Sequence, residues 1–203
     1  MIADGRAADH VAIVADAQSA GHGRYRRNWV SKPGNLYVSF IYKCTARDPR
    51  ISYAVAVSMA EAVKTCGAPA QIKWPNDILV DGKKIAGVLI EYNADFVVVG
   101  IGINIRHCPN VEKYQTAKLE DFNPATRNEL LNVLMRKLDE WMAADFADVR
   151  ARWMNLAAGL SGAVTYREMP AELVGINDDG ALVLRREGME ILAYGDEIVM
   201  RNP

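Results

Sequence analysis

Between Gln71 and Glu91 the chain turns back on itself, and that reversal constrains its folding more than any other segment. Asp81-Gly82 separates two apolar runs, Ile78 to Val80 and Ile85 to Ile90. An Asp-Gly pair in such a setting signals a hairpin, because both central residues of the favoured turn need positive φ. The reversal brings Lys73-Trp74-Pro75-Asn76-Asp77, read as one strand, back beside Lys84. Two cations, an amide and a carboxylate on paired arms suit an anionic ligand, with or without a metal ion.

The remaining pattern surrounds this hairpin with strands and two clear helices. Val11 to Ala15 and Phe96 to Ile103 read as buried strands, and Leu36 to Tyr42 alternates as a further strand would. Ser52 to Cys66 has helical spacing and stops at Gly67, while Thr126-Arg-Asn-Glu129 is a capping box before the stripe Leu130, Leu134, Leu138, Trp141 and Met142. A shorter helix is predicted from about Asp148 to Ala158, and Asn104 to Pro124 reads as a long surface connection. Beyond Gly159, Ala163 to Arg167, Ala171 to Ile176, Ala181 to Arg186 and Met189 to Ala193 form short strands around Asp179-Gly180 and Glu187-Gly188. Such strands predict a small β-barrel, so the expected division is residues 1–159 and 160–203. The class is α+β, a mixed sheet with packed helices followed by that barrel.

A second segment, Gln18 to Trp29, holds Gly21 and Gly23 with Arg24, Arg26 and Arg27. Glycine lets backbone approach an anion, and arginine offers a planar fork of donors to phosphate or carboxylate. Without Gly-Lys-Ser/Thr it is not a Walker loop. A solvated basic loop and a single-stranded nucleic-acid platform built on Tyr25 and Trp29 are the competing readings. Charge weighs against the latter: 24 basic residues face 25 acidic ones, whereas nucleic-acid binding favours a basic excess. Three scattered cysteines, Cys44, Cys66 and Cys108, suggest reduced thiols. Neither a membrane-spanning run nor a signal peptide is seen, so a cytoplasmic location is expected.

Taken together, Gln18 to Trp29 with Ser31 to Ser39, Lys73 to Asp77, Lys84 to Glu91 and Gly100-Ile-Gly-Ile-Asn104 resemble the biotin protein ligases. The resemblance implies a catalytic domain of the class II aminoacyl-tRNA synthetase/biotin ligase type and an SH3-like C-terminal domain. It implies ATP-dependent formation of biotinyl-5′-AMP and transfer of biotin to a lysine of a biotin carboxyl carrier protein, with Mg²⁺. A binding module without turnover and an octanoyl or lipoyl transferase are the alternatives.

By the same resemblance, Gln18, Gly21, Arg24, Lys84 and Gly87 bind biotin, and Lys84 and Arg24 are catalytic. Arg24, Arg27, Trp29, Asn76 and Asn104 bind ATP or the adenylate, and Asp77 faces Mg²⁺. Lys73 supports the strand. A carboxylase carrier domain is the implied partner, a homodimer is compatible, and neither DNA nor membrane is implied. Two departures stand out. The family's Ser-Thr-Asn segment, which contacts biotin, is not found among the ten residues before Val11. In the loop, His22 stands where arginine is common and Arg26 where glycine is usual.

Overall fold

The computed structural model describes residues 8–44, 46–93, 95–123, 126–195 and 198–200. Most of the stretch expected to carry the Ser-Thr-Asn segment, together with Pro124 and the last three residues, lies outside them. A six-stranded sheet is built from β1 (Val11–Ala15), β2 (Leu36–Lys43), β3 (Ala70–Lys73), β4 (Asp77–Val80), β5 (Lys83–Asn93) and β6 (Phe96–Ile103). Its order is β1-β2-β6-β5-β4-β3. Every strand pair within it is antiparallel, so the expected mixed sheet is an antiparallel one. The tight reversals between β3 and β4, β4 and β5, and β5 and β6 leave no room for the crossover that a parallel pair requires.

Alternation along β6 decides which face is which. Val97, Val99, Ile101 and Ile103 are buried, while Phe96, Val98, Gly100 and Gly102 are only partly so. The buried set meets a helical layer of α1 (Ile51–Thr65), α2 (Arg127–Met142) and α3 (Phe146–Leu156). The capping box at the start of α2 forms as the sequence predicts, with Thr126 accepting from the Glu129 amide. Within the layer, Glu61 of α1 accepts from Trp141 Nε1 (3.1 Å) and Arg152 Nε (2.7 Å) and pairs with Lys137 Nζ at 2.9 Å. Burial works against its charge, but the three donors outweigh it and hold the carboxyl below its ordinary range. One carboxylate thus ties all three helices behind the sheet.

The second sheet comprises β7 (Ala163–Tyr166), β8 (Met169–Ile176), β9 (Leu182–Arg186), β10 (Met189–Ala193) and β11 (Ile198–Met200), ordered β10-β9-β8-β7-β11. It is open: among the described residues β10 and β11 remain edges, so the strand order is not that of a closed barrel. A register shift between Leu173 and Gly175 bends β8, but among the described residues the three-residue β11 pairs with β7 alone. The sheet docks on the larger layer through Tyr53, whose hydroxyl donates to the Gly180 carbonyl at 2.8 Å. Burial pushes that phenol up to about 12.

Candidate active site

Asp81 and Gly82 have φ of 49° and 74°, the left-handed pair that the dipeptide supplies. Upstream, the chain departs from the single strand expected from sequence. Lys73 to Asp77 is not one strand: Trp74, Pro75 and Asn76 form a turn, with a cis Trp74-Pro75 bond, and Lys73 pairs opposite Asp77. The internal proline, which cannot donate to a ladder, was the available signal.

A second irregularity places the lysine. Leu79 pairs with Lys84 but Ile78 with Ala86, so Ile85 is an extra residue in β5. Residues 84 and 87 would point to opposite faces of a regular strand; one inserted residue restores them to the same face. The open face consequently carries a cross-strand row, Asp77-Gly87-Gly102-Tyr37, whose centre has no side chains. Lys84 Nζ meets Asp77 Oδ1 at 2.6 Å, with 16% and 21% of their side-chain surfaces exposed. This pair is shielded from solvent yet reachable.

Trp29 lies on the glycine floor. A methyl placed on Gly102 would come within 2.6 Å of its indole, and one on Gly87 within 3.3 Å. The Lys84 ammonium stands over the same ring, 5.4 Å from its centroid. Trp29 arrives there through the Gly/Arg segment, which closes as a small irregular hairpin. The Trp29 amide donates to the Gly21 carbonyl (2.9 Å), the Gly23 amide donates to the Arg27 carbonyl (2.8 Å), and Gln18 Nε2 donates to Ser31 Oγ (2.9 Å). At its tip Tyr25 and Arg26 hold φ of 56° and 55°. Arg26 therefore takes a conformation that glycine adopts freely and other residues adopt at a cost of about 1–2 kcal/mol. Arg24 and Arg27 lie over the Tyr25 ring, and Arg24 also donates to the Gly195 carbonyl, in the connection that follows β10.

Asn76 Nδ2 donates to the Val88 carbonyl at 2.7 Å. Asn104 is buried, its Nδ2 given to the Ala117 carbonyl (3.1 Å). Asn35, to which the sequence reading gave no task, accepts the amides of Ile105, Arg106 and His107 at 2.9–3.0 Å. It thereby clamps the connection after β6, which runs over the surface as expected and is also tied to β5: the Lys84 amide donates to the Gln115 carbonyl and the Ala117 amide to the Lys84 carbonyl.

The structure thus brings Lys84, Asp77, Gly87 and Trp29 together. Arg24 and Arg27 it gathers at the loop tip instead, on Tyr25 and, for Arg24, the Gly195 carbonyl. Among the described residues four buried side-chain polar atoms have no hydrogen-bond partner: Arg24 Nη1, Trp29 Nε1, Asn104 Oδ1 and Trp153 Nε1. Buried polar atoms are normally satisfied, so such exceptions need a reason. Three of the four belong to residues singled out from sequence for the nucleotide. No cluster of three or more acidic, histidine or cysteine side chains suited to a metal occurs among the described residues. A Mg²⁺ carried largely by substrate phosphates and water needs only one or two protein oxygens, and Asp77 with the Asn76 oxygen meets that requirement.

Residues 6–105 match the model of the biotin/lipoate A/B protein ligase family. The chain is 32% identical over 199 residues to the biotin--[acetyl-CoA-carboxylase] ligase of Paracoccus denitrificans, covering 85% of this chain and 83% of that protein. It is also 28% identical to the bifunctional ligase/repressor BirA of Bacillus subtilis, covering 96% and 68%. In structure it is similar to the biotin protein ligase of Aquifex aeolicus in complex with biotin and ATP, with a TM-score of 0.86 and 26% identity over 98% of this chain and 91% of that one.

Proposed function

The chain belongs to the biotin/lipoate A/B protein ligase family, among its biotin protein ligases, and from that premise we propose how its own residues divide the ATP-dependent biotinylation of a carrier lysine. In the first half, the biotin carboxylate attacks the α-phosphorus of ATP to give biotinyl-5′-AMP and pyrophosphate. In the second, the amine of a carrier lysine attacks the mixed anhydride and AMP leaves.

Two anions must meet in the first half, so the site has to offset their repulsion without reacting itself. Lys84 receives the biotin carboxylate. Asp77, 2.6 Å away, aims the ammonium beforehand and limits its rotation. Gln18, Gly21 and Gly87 border the same ligand, and the row without side chains at Gly87 and Gly102 seats the Trp29 indole beside it. Arg24 and Arg27 hold the phosphate as they leave the Tyr25 ring, and closure of their loop shields the anhydride from water. Asn104 Oδ1 accepts from an exocyclic amine and the Trp29 indole packs on the purine. Mg²⁺, when bound, screens phosphate charge; Asp77 and Asn76 are the residues that would hold it. No protein nucleophile is needed.

The observation that carries this reading is the coincidence of the unsatisfied atoms of Arg24, Trp29 and Asn104 with the residues assigned to ATP. The partner is a carboxylase carrier domain. The nearly even charge favours a protein partner over nucleic acid, and ATP and biotin as substrates suit the cytoplasm. The exposed edge strand β1, with Ile13 and Val14 about 40% exposed, is compatible with a homodimer. Biotin-dependent exchange of pyrophosphate into ATP, followed by label transfer to a carrier domain, is the test. Exchange and transfer are expected; a folded chain showing neither would overturn the reading.

A further inference from the structure

The Lys84 ammonium has a neighbour that the motifs do not include. Tyr114, on the connection after β6, presents its ring with the ammonium over it, 5.4 Å from the centroid, matching the distance to Trp29. The backbone that carries the ring is tied to β5 next door: the Gln115 carbonyl accepts the Lys84 amide at 2.9 Å, and Lys84 bridges to Thr116. Lys84 thus stands among one carboxylate and two aromatic faces.

These neighbours act differently on a lysine that must bind an anion. Asp77 neutralises it and occupies a donor. A ring face attracts the ammonium through its quadrupole, leaving net charge and N–H donors available to a ligand. Two such faces favour one orientation of a long, flexible side chain without competing for the carboxylate. Tyr114 is itself 43% exposed, so its ring contributes little to the core.

We infer that Tyr114 is a positioning residue of the reaction: with Trp29 it holds the Lys84 ammonium toward the substrate carboxylate, and carboxylate affinity depends on the aromatic face at position 114. The inference rests on the assignment of Lys84 to biotin. Because the indole of Trp29 also serves the nucleotide in that assignment, Tyr114 is the half of the clamp that can be altered alone.

Biotin titrations of the full chain test it, using Tyr114→Phe, Tyr114→Leu and phenylalanines bearing one, two and three ring fluorines at 114. Tyr114→Phe is expected to bind like wild type. Tyr114→Leu should raise Kd about three- to tenfold, and the fluorinated series should weaken binding stepwise. The alcohol analogue of biotin should respond to none of these changes. Equal affinity across Phe, Leu and trifluorophenylalanine overturns the inference. Lys84→Met separates the two failures. If it abolishes biotin binding while the fluorinated series stays flat, only the role of Tyr114 fails; if it binds biotin like wild type, the assignment of Lys84 and this inference fail together.

Discussion

Gly87 and Gly102 sit in ladders that continue on both sides, whereas Gly21 and Gly23 sit in a segment closed by a few backbone hydrogen bonds and a single bridge between His22 and Asn28. The floor residues are positioned by neighbouring strands and by a helical layer behind them. The loop residues are positioned by one another, by a strained tip and by the Gly195 carbonyl. A bed fixed before substrate arrives spares the ordering cost at binding, while a loop with other partners must exchange them. Floor substitutions should therefore act on the formation of the adenylate, and loop substitutions on its retention.

Lys84→Ala is the severest challenge to that division. Pyrophosphate exchange should fall on the order of 10²- to 10³-fold, the range for removing a group that stabilises developing charge. The melting temperature should change little, because Lys84 packs on the open face and not in the core. Exchange at wild-type rate would remove the floor from the chemistry.

Glycine substitutions sharpen the contrast within one residue type. In Gly102→Ala the added methyl meets the Trp29 indole at 2.6 Å, so the ring must shift; overpacking of this kind costs about 1–3 kcal/mol. In Gly23→Ala the methyl meets only the Arg27 carbonyl at 4.0 Å. Adenylate formation should drop about tenfold or more in the first and stay near wild type in the second, as single-turnover measurements will show. Equal losses would mean that the indole's seat on the floor is irrelevant.

How much of this contrast the sequence could show depends on how local each cause is. Asp81-Gly82 and Thr126 with Glu129 were legible because the turn and the cap are each satisfied within four residues. Phe96 to Ile103 was legible as a strand from its short apolar run, but not which of its residues face the helices. Its two glycines were noticed, but not that Gly102 pairs with Gly87 to bare the floor, since that follows from register. The inserted Ile85 escaped because a bulge leaves no trace in an apolar run. Tyr114 escaped because its meeting with Lys84 depends on the pairing of residues 115–117 with Lys84, some thirty positions away in the chain. The openness of the second sheet reflects pairing between distant strands, which strand spacing does not encode. The four ligase motifs were readable as a set because their residues are chemically unusual in those positions, even where their geometry was not.

Arg24→Gly probes the loop itself. The lost guanidinium removes contacts to Tyr25 and Gly195 along with its proposed phosphate contact, a loss of about 1.5–3 kcal/mol for charged hydrogen bonds in retaining the intermediate. Release of biotinyl-5′-AMP should rise about tenfold or more, measured as labelling of free amines in the absence of carrier. Exchange should fall less than in Lys84→Ala. A variant that loses exchange as completely as Lys84→Ala would merge loop and floor into one functional unit.

The smallest effect tests whether the floor's rigidity is borrowed from behind. Glu61→Gln keeps the side-chain shape but removes the charge shared by Lys137, Trp141 and Arg152. A fully buried pair broken this way costs about 3–5 kcal/mol; here both cations are about a third exposed, which lowers the expected loss to about 1–2 kcal/mol. Because the folded carboxyl lies below its ordinary value, the wild type binds fewer protons at Glu61 than the unfolded chain does. That stabilisation is fully present above about pH 5 and is lost as pH falls through the folded value. Urea unfolding should show a constant gap between wild type and variant from pH 7 to pH 5 and a narrowing gap below about pH 4. Exchange activity at pH 7 should be unchanged, since the carboxylate lies across the sheet from the substrates. A fall in activity without a matching loss of stability would show that the helices tune the floor rather than merely support it.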